Sequence, residues 1–229
     1  MDNSVISTIH FSLSIILYQL SINKMFRYFI ANKPFNVLCQ FTQESEGQRT
    51  LADLNFAFPK DVYPIGRLDI DSEGLLLMTN DRKLNHTLLH PEFAHERTYL
   101  SLVEDVPTDE ALLQFQTGLD IKIGKKRHNT LPCKCNRVED LTPFFNGNDV
   151  WERVPPPMPQ AWKPMVWLEV ILIEGKYRQV RRMCAKIEHP CLRLIRVKIA
   201  NLLLGDLPPN EVLELDRDFV YEKLGLKAN

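Results

Sequence analysis

Segments with the apolar or alternating pattern of β-strands recur along the chain, and few helical patterns lie between them. The strand-like segments cover residues 26–31, 36–41, 74–79, 98–103, 166–173, 192–199 and 211–215. Helical spacing or a capping residue occurs at 80–89, 108–118 and 177–188. Because strands come in runs instead of alternating with helices, the pattern favours an α+β fold over a doubly wound parallel sheet. We expect a mixed or antiparallel central sheet with flanking helices.

The most apolar stretch, residues 4–20, precedes the first predicted strand. Only Asp2 is charged before it, whereas a signal peptide begins with a basic region. The stretch has seventeen residues, including His10, Gln19 and four serines, and is too short and polar for a membrane span of about 20 residues. We interpret residues 1–24 as an N-terminal appendage, or as an artefact of the assigned start site, with a core or dimer helix as the alternative. Residues 25–229 are expected to form one domain.

Charge, cysteine content and missing motifs exclude several classes of protein. The 28 basic and 29 acidic residues give a net charge of −1, which argues against non-specific coating of nucleic acid. Five cysteines without framework spacing indicate reduced thiols in the cytoplasm. Motifs of nucleotide-binding folds, zinc proteases and GxSxG hydrolases are absent. Cys133 and Cys135 have no second pair at zinc spacing, so we expect no zinc site.

Basic residues are concentrated in one late segment. Between Leu172 and Lys198 there are eight basic residues and only two acidic ones, a net charge of +6. Arg178, Arg181 and Arg182 are three or four residues apart, so they would share one face of a helix. A solvated run of charge is the simpler interpretation, but ordinary surfaces mix both signs. The scarcity of acids favours contact with a phosphate backbone, for which arginine offers bidentate hydrogen bonds.

Three acids, Asp69, Asp71 and Glu73, lie in a polar turn at residues 66–74. Acids beside glycine are common in turns for purely structural reasons. A carboxylate held at a turn before a buried strand is also well placed in a cleft, where a nearby arginine would keep it ionised. A pair of these acids would instead fit a glycosidase. The spacing alone does not choose between these interpretations.

Five short motifs in a fixed order resemble those of the RsuA-type ribosomal pseudouridine synthases. They cover residues 32–38, 66–69, 72–76, 97–99 and 174–183. The tetrapeptide Gly-Arg-Leu-Asp at 66–69 is weak by itself, but its combination with the later tyrosine and with EGKYRQVRRM is specific. Two positions depart from the family pattern. Asn36 stands where many relatives carry glycine, although asparagine tolerates left-handed backbone, and Arg97 stands where lysine is usual.

The resemblance implies the pseudouridine synthase fold, with a catalytic cleft across the sheet and no metal ion or organic cofactor. It implies that Asp69 is the catalytic aspartate, acting as nucleophile or base while the uridine N1–C1′ bond is broken and the base rejoins through C5. Arg181 matches the arginine that pairs with this aspartate and lowers its pKa. Tyr99 matches the tyrosine that stacks on the extruded base, and Arg67 matches the side chain that fills the vacated place. The other expected substrate contacts are Lys33, Leu172, Ile173, Arg178, Arg182 and Arg196.

The predicted function is site-specific conversion of uridine to pseudouridine in ribosomal RNA. The Pro-rich loop at 151–165 and residues 130–132 and 192–196 most resemble family members that act on large-subunit (23S) rRNA. Many members carry an N-terminal S4-type RNA-binding domain, for which this chain has no room. We expect a cytoplasmic monomer without membrane contact. Two alternatives stay open: an inactive RNA-binding module of the same fold, and a nucleoside or glycoside hydrolase that depends on Asp71 or Glu73 as strongly as on Asp69.

Overall fold

A nine-stranded mixed sheet forms the centre of the molecule. The computed structural model describes residues 26–159 and 163–227. Within these ranges the strands are β1 (Tyr28–Lys33), β2 (Val37–Leu38), β3 (Arg49–Thr50), β4 (Tyr63–Pro64), β5 (Glu73–Thr79), β6 (Arg97–Glu104), β7 (Asp120–Ile123), β8 (Lys126–Asn129), β9 (Lys134–Val138), β10 (Met165–Leu172), β11 (Cys191–Ile199), β12 (Leu202–Leu203) and β13 (Val212–Leu215). The sheet order is β13-β1-β5-β11-β6-β10-β9, with β4 beside β5 and β12 beside β11.

One parallel pairing, between β5 and β11, joins the two halves of this otherwise antiparallel sheet. Gly74 on β5 lies opposite Arg196 on β11. Gly74 has φ +99°, and a Cβ at this position would lie 2.3 Å from the carbonyl oxygen of Arg196. Glycine is therefore required for the two strands to approach, and this approach brings the acidic turn before β5 next to β11.

Four α-helices of the described residues flank the sheet, and each begins where the sequence supplies a cap or a turn. They are α1 (Arg82–Leu89), α2 (Asp109–Thr117), α3 (Gln179–Lys186) and α4 (Arg217–Lys223). The side chain of Asp81 caps α1 by accepting from the backbone N–H groups of Lys83 and Leu84, and Thr108 caps α2 by accepting from Ala111. Helix α2 ends at Gly118 with φ +104°. None of these helices is long and apolar enough to span a bilayer.

The core lies on both faces of β5, which explains the continuous apolar run at 74–79. Leu75 and Leu77 pack with α1 and α4, whereas Leu76 and Met78 pack with an aromatic group that includes Phe29. Helices α2 and α3 cover a third cluster, against β10 and the nearby part of β11. A strand buried on both faces is apolar at successive positions, so it has no alternating pattern.

The predicted α+β fold with a mixed sheet is confirmed. The strand predicted at 36–41 is wrong in extent, because only Val37–Leu38 pair with Arg49–Thr50 before the chain turns away. The polar β7–β8 hairpin, strand β9 and helix α4 were not predicted. Their apolar residues are too few for periodicity to be detected, and tertiary packing stabilises them. The interpretation of residues 1–24 lies outside the described residues.

Candidate active site

A cavity of about 620 Å³ opens where the acidic turn, β6, β10 and β11 meet the loop that enters α3. The turn contributes Arg67 and Asp69, and β6 contributes Arg97 and Tyr99. The remaining wall includes Leu172 at the end of β10, residues 174–180, and Leu194, Arg196 and Ile199 on β11. The wall is therefore apolar with several cationic side chains and one carboxylate from the turn, a composition suited to a planar base attached to an anionic backbone.

Backbone contacts and a buried lysine hold the acidic turn in place. The Ser72 N–H donates to the Asp69 carbonyl at 3.0 Å, and the Asn36 N–H donates to the Ile70 carbonyl at 2.9 Å. Lys33 is fully buried, and its Nζ donates to the carbonyls of Pro34 at 2.9 Å and Val37 at 2.8 Å and lies 3.4 Å from that of Ile70. Asn36 adopts φ 60°, the left-handed geometry expected at its position.

Two arginines at the start of α3, the N-cap Arg178 and the helical Arg181, meet the turn, and both bind Asp71 rather than Asp69. Arg178 makes a bidentate pair with the Asp71 carboxylate, with both N–O distances 2.7 Å. Arg181 approaches the same carboxylate at 3.4 Å and donates to the Asp71 carbonyl at 2.6 Å and to the Cys191 carbonyl at 2.9 Å. The carboxylate of Asp69 lies 3.8 Å from Nη1 of Arg178, which is beyond hydrogen-bond distance.

The two aspartates therefore have opposite pKa shifts. Burial raises the pKa of Asp69 above its ordinary value, and the attraction of Arg178 only partly opposes this rise. Burial also acts on Asp71, but the hydrogen bonds from Arg178 and the charge of Arg181 outweigh it and hold its pKa below the ordinary value. Asp71 is consequently a fixed anion that orients two arginines, and Asp69 is the less strongly paired acid facing the cavity.

The loop before α3 is fixed by Glu174. Its carboxylate accepts hydrogen bonds from the Leu131 N–H at 2.8 Å and from the Gln179 side chain at 2.7 Å, and it lies 3.0 Å from Nε2 of His128. Arg178 is the N-cap residue of α3; it has φ 53°, and its side chain makes no capping hydrogen bond. This left-handed residue aims its guanidinium back at the turn instead of along the helix.

Comparisons with known proteins agree with this geometry. The model of the family described as RNA pseudouridylate synthase matches residues 27–186. The chain belongs to the RNA pseudouridylate synthase family. The synthase is 41% identical over 186 residues to the ribosomal large subunit pseudouridine synthase E of Vibrio parahaemolyticus, covering 81% of this chain and 72% of the relative.

Further relatives and a solved structure support the same assignment. The synthase is 40% identical over 181 residues to the ribosomal large subunit pseudouridine synthase E of Xanthomonas axonopodis pv. citri, covering 79% of this chain and 89% of that protein. A crystal structure of a pseudouridylate synthase superposes with a TM-score of 0.67 at 25% identity, covering 87% of this chain and 74% of the other. The predicted family and the pseudouridine synthase fold are therefore confirmed.

The structure brings several predicted site residues of the synthase together. Arg67, Asp69, Tyr99, Leu172, Arg178 and Arg196 all line the cavity. Tyr99 lies directly opposite Arg196 in the β6–β11 register. Arg67 is exposed at the rim, where its Nη2 lies 3.5 Å from the Gln40 side chain.

One predicted pairing is wrong, and three residues predicted to contact substrate lie outside the cavity wall. Arg181 does not pair with Asp69, because Asp71 and the Cys191 carbonyl occupy its guanidinium; its charge lowers the pKa of Asp69 as expected, but burial outweighs this effect and the pKa is raised. Lys33 is buried among carbonyls and does not reach the cavity. Ile173 follows the last residue of β10 and is 38% exposed, whereas Leu172 lines the cavity. Arg182 donates to the carbonyls of Tyr177 and Lys122 and so fixes the β7–β8 hairpin instead of facing the cavity.

Three residues that matter for the geometry were missed at the sequence level in these roles. The sequence-based hypotheses treat Asp71 as a turn residue or a hydrolase acid, although its place two residues after Asp69 puts it in the same turn. Glu174 belongs to a recognised motif, but two of its three partners, His128 and the Leu131 N–H, lie in or just after the unpredicted hairpin. Arg97 lies two residues before Tyr99 on a strand, which places both on one face, and that alternation could have identified it. Across residues 26–159 and 163–227, no group of three metal-ligating side chains is close enough to bind a metal ion.

Proposed function

We propose that this synthase converts a uridine of large-subunit ribosomal RNA to pseudouridine, with Asp69 as the catalytic carboxylate. The observation that supports this proposal is the position of Asp69. It is the incompletely paired acid of the turn, it lines a cavity that also contains Tyr99, and its pKa is raised by burial. The substrate class follows from the relatives, whose names specify the ribosomal large subunit.

The reaction replaces a carbon–nitrogen bond with a carbon–carbon bond within the same nucleotide. The N1–C1′ bond breaks and its electron pair stays on the base. The base turns within the cavity, C5 bonds to C1′, and the proton of C5 is lost while N1 gains one. Asp69 acts either by bonding to C1′ or by removing the proton of C2′. In both roles it must be ionised, which the neighbouring guanidinium of Arg178 favours.

The surrounding residues divide the remaining tasks. Asp71 holds Arg178 and Arg181 in fixed positions, so that positive charge lies beside Asp69 before substrate binds. Tyr99 offers a ring face for the extruded base, and Leu172 completes the apolar wall. Arg67, exposed at the rim, is placed to stack in the RNA where the base has left. We propose that residues 25–229 act as one catalytic domain, that the protein acts as a monomer in the cytoplasm, and that exposed cations such as Lys176 contact phosphates.

The hydrolase alternative requires a second free acid besides Asp69, and both candidates are already paired. Glu73 is 1% exposed, and it pairs with Arg193 at 2.8 Å and accepts a hydrogen bond from Trp151 at 2.9 Å. Asp71 is occupied by two arginines. Neither acid is free to activate water opposite Asp69, so a carboxylate pair does not describe this site.

The decisive experiment compares Asp69→Asn with Asp149→Asn, which replaces an exposed acid outside the cavity wall. Ribosomal RNA from a strain lacking the enzyme is incubated with each variant, and pseudouridine is mapped by carbodiimide-induced stops in primer extension. We expect Asp69→Asn to abolish modification while its RNA affinity stays within a few-fold of the wild type, and Asp149→Asn to retain full activity. Turnover by Asp69→Asn at a rate near that of the wild type would refute the assignment.

A further inference from the structure

Two guanidinium groups that line the cavity lack the carboxylate partners that neighbouring arginines have. Arg193 pairs with Glu73, and Arg178 with Asp71. By contrast, within residues 26–159 and 163–227 no acid lies within ion-pair distance of Arg97 or Arg196. Arg97 donates to the Leu88 carbonyl at 2.9 Å. Arg196 is only 3% exposed, donates from Nε to the Leu75 carbonyl at 2.8 Å, and leaves its buried Nη2 without an acceptor in this part of the chain.

The two arginines flank Tyr99. Arg196 lies opposite Tyr99 across the β6–β11 pairing, and Arg97 precedes Tyr99 by two residues on the same face of β6. All three side chains line the cavity. Burial lowers the pKa of Arg97, and the charge of Arg196 lowers it further, so the two cations are close enough to repel each other.

Two cations without a counter-charge, of which Arg196 is buried and Arg97 half-buried, are unfavourable unless a negative charge joins them. Removing a charge from water costs several kcal/mol, and an unsatisfied buried donor adds to that cost. The carbonyls of Leu88 and Leu75 orient the two guanidinium groups but do not neutralise them. Preorganised donors without a counter-charge are the arrangement that stabilises a charge developing during a reaction.

The isomerisation develops such a charge on the base. Whether Asp69 bonds to C1′ or removes the proton of C2′, the N1–C1′ bonding pair leaves with the base. The detached base is then a uracil monoanion, with its charge shared by N1, O2 and O4, and the sugar is either esterified to Asp69 or unsaturated between C1′ and C2′. The charge disappears when C5 bonds to C1′, which releases Asp69 or returns the proton to C2′.

We propose that Arg97 and Arg196 form the binding site for the detached uracil anion and hold it beside Tyr99 while it turns from N1 to C5. This assignment rests on the proposed function, since it takes the bond-breaking step from there. It gives both arginines a role in the reaction itself, distinct from contacts with the phosphate backbone. Nη2 of Arg196 is the donor that we expect to bind a carbonyl oxygen of the base.

The test compares two substrate RNAs, one with uridine and one with 5-fluorouridine at the target position. Fluorine withdraws electrons and stabilises the base anion without help from the protein. Arg196→Gln and Arg97→Gln are assayed in single turnover at saturating enzyme by loss of the target nucleoside from nuclease digests. We expect a rate loss of about 10²–10³-fold with uridine, as for removal of one preorganised donor, and a loss about tenfold smaller with 5-fluorouridine. RNA affinity should stay within a few-fold, and Arg97→Lys, which keeps the charge, should recover at least about tenfold of the lost rate.

Other outcomes separate this inference from the proposed function. Equal rate losses with both substrates, an unchanged rate, or a loss confined to RNA affinity and its salt dependence would overturn the anion site, and the last result would indicate a phosphate contact. Asp69→Asn should be inactive with both substrates, so activity in that variant would instead overturn the proposed function. Thermal unfolding checks each variant. If Arg196→Gln fails to fold because the side chain is buried, the same comparison is made with Arg97→Gln, since the side chain of Arg97 is less buried.

Discussion

Asp71→Asn separates Asp69, the carboxylate proposed to react, from the carboxylate that holds the arginines. The substitution keeps the shape of the side chain and removes its charge. It weakens the bidentate pair with Arg178 at 2.7 Å and the contact of Arg181 at 3.4 Å. Asp69, 3.8 Å from Arg178, then becomes the acid toward which that guanidinium is attracted. We expect the free energy of unfolding to fall by about 1–3 kcal/mol, because charge-assisted hydrogen bonds are lost.

The direction of the effect on Asp69 follows from the charges that remain beside it. Two unit charges 3.8 Å apart interact by about 1 kcal/mol in water and about 4 kcal/mol at the effective dielectric of a protein surface. Both side chains are about a quarter to a third exposed, so the lower half of this range applies. The repulsion from Asp71, which helps to raise the pKa of Asp69, also disappears. The pKa of Asp69 should therefore fall in the variant.

The assay is the pH dependence of single-turnover rates, measured by tritium release from RNA labelled at C5. In the proposed reaction Asp69 works as a carboxylate, so activity is lost as pH falls through its pKa. A lower pKa in Asp71→Asn moves this acid limb to lower pH. The plateau rate should also fall, because Arg178 and Arg181 are no longer held. An acid limb that stays in place or moves to higher pH, with Asp149→Asn as the control, would refute the reasoning.

Two further predictions concern stability. Gly74→Ala should lower the free energy of unfolding by about 2–4 kcal/mol in urea titrations, because its Cβ would lie 2.3 Å from the Arg196 carbonyl oxygen at φ +99°. The control is Gly175→Ala, which should change the free energy of unfolding little because nothing lies within 4 Å of that Cβ. Equal stability of the two variants would contradict the packing argument. Burial lowers the pKa of Lys33 to about 8 from 10.5, so the unfolded chain binds the proton that the folded lysine loses, and wild-type stability should rise between these pH values. Lys33→Met should lack this rise, and a matching rise in both proteins would show that another group causes it.

Much of the architecture could be predicted from local patterns. The run 74–79 indicated a buried strand, and caps at Asp81 and Thr108 with a stop at Gly118 located two helices to within a residue or two. The β7–β8 hairpin could not be found this way. Its strands are mostly exposed, and they are fixed from outside by Arg182, which donates to the Lys122 carbonyl, and by Glu174 next to His128. Contacts between distant segments leave no periodic signal in either segment.

The candidate site likewise contains features that could be predicted from the sequence and features that could not. Asp69, Tyr99 and Arg67 stand in recognisable motifs, so they could be proposed as site residues from the sequence. The ion-pair partner of each charged side chain could not be predicted. Arg181 was expected to pair with Asp69, but the left-handed backbone at Arg178 directs another arginine of α3 towards the turn, and both bind Asp71.

The sequence by itself determined the family, the mixed α+β fold and the acid proposed as catalytic, because these follow from residue identity and from local spacing. Only the tertiary structure decided which guanidinium meets which carboxylate, which lysine is buried and which arginines lack a counter-charge. Arg178 and Asp71 are 107 residues apart and meet where the start of α3 faces the turn before β5. Electrostatic energy depends on the distance between charges in space and not on their separation along the chain, so the pairing could be known only once the fold had brought them together.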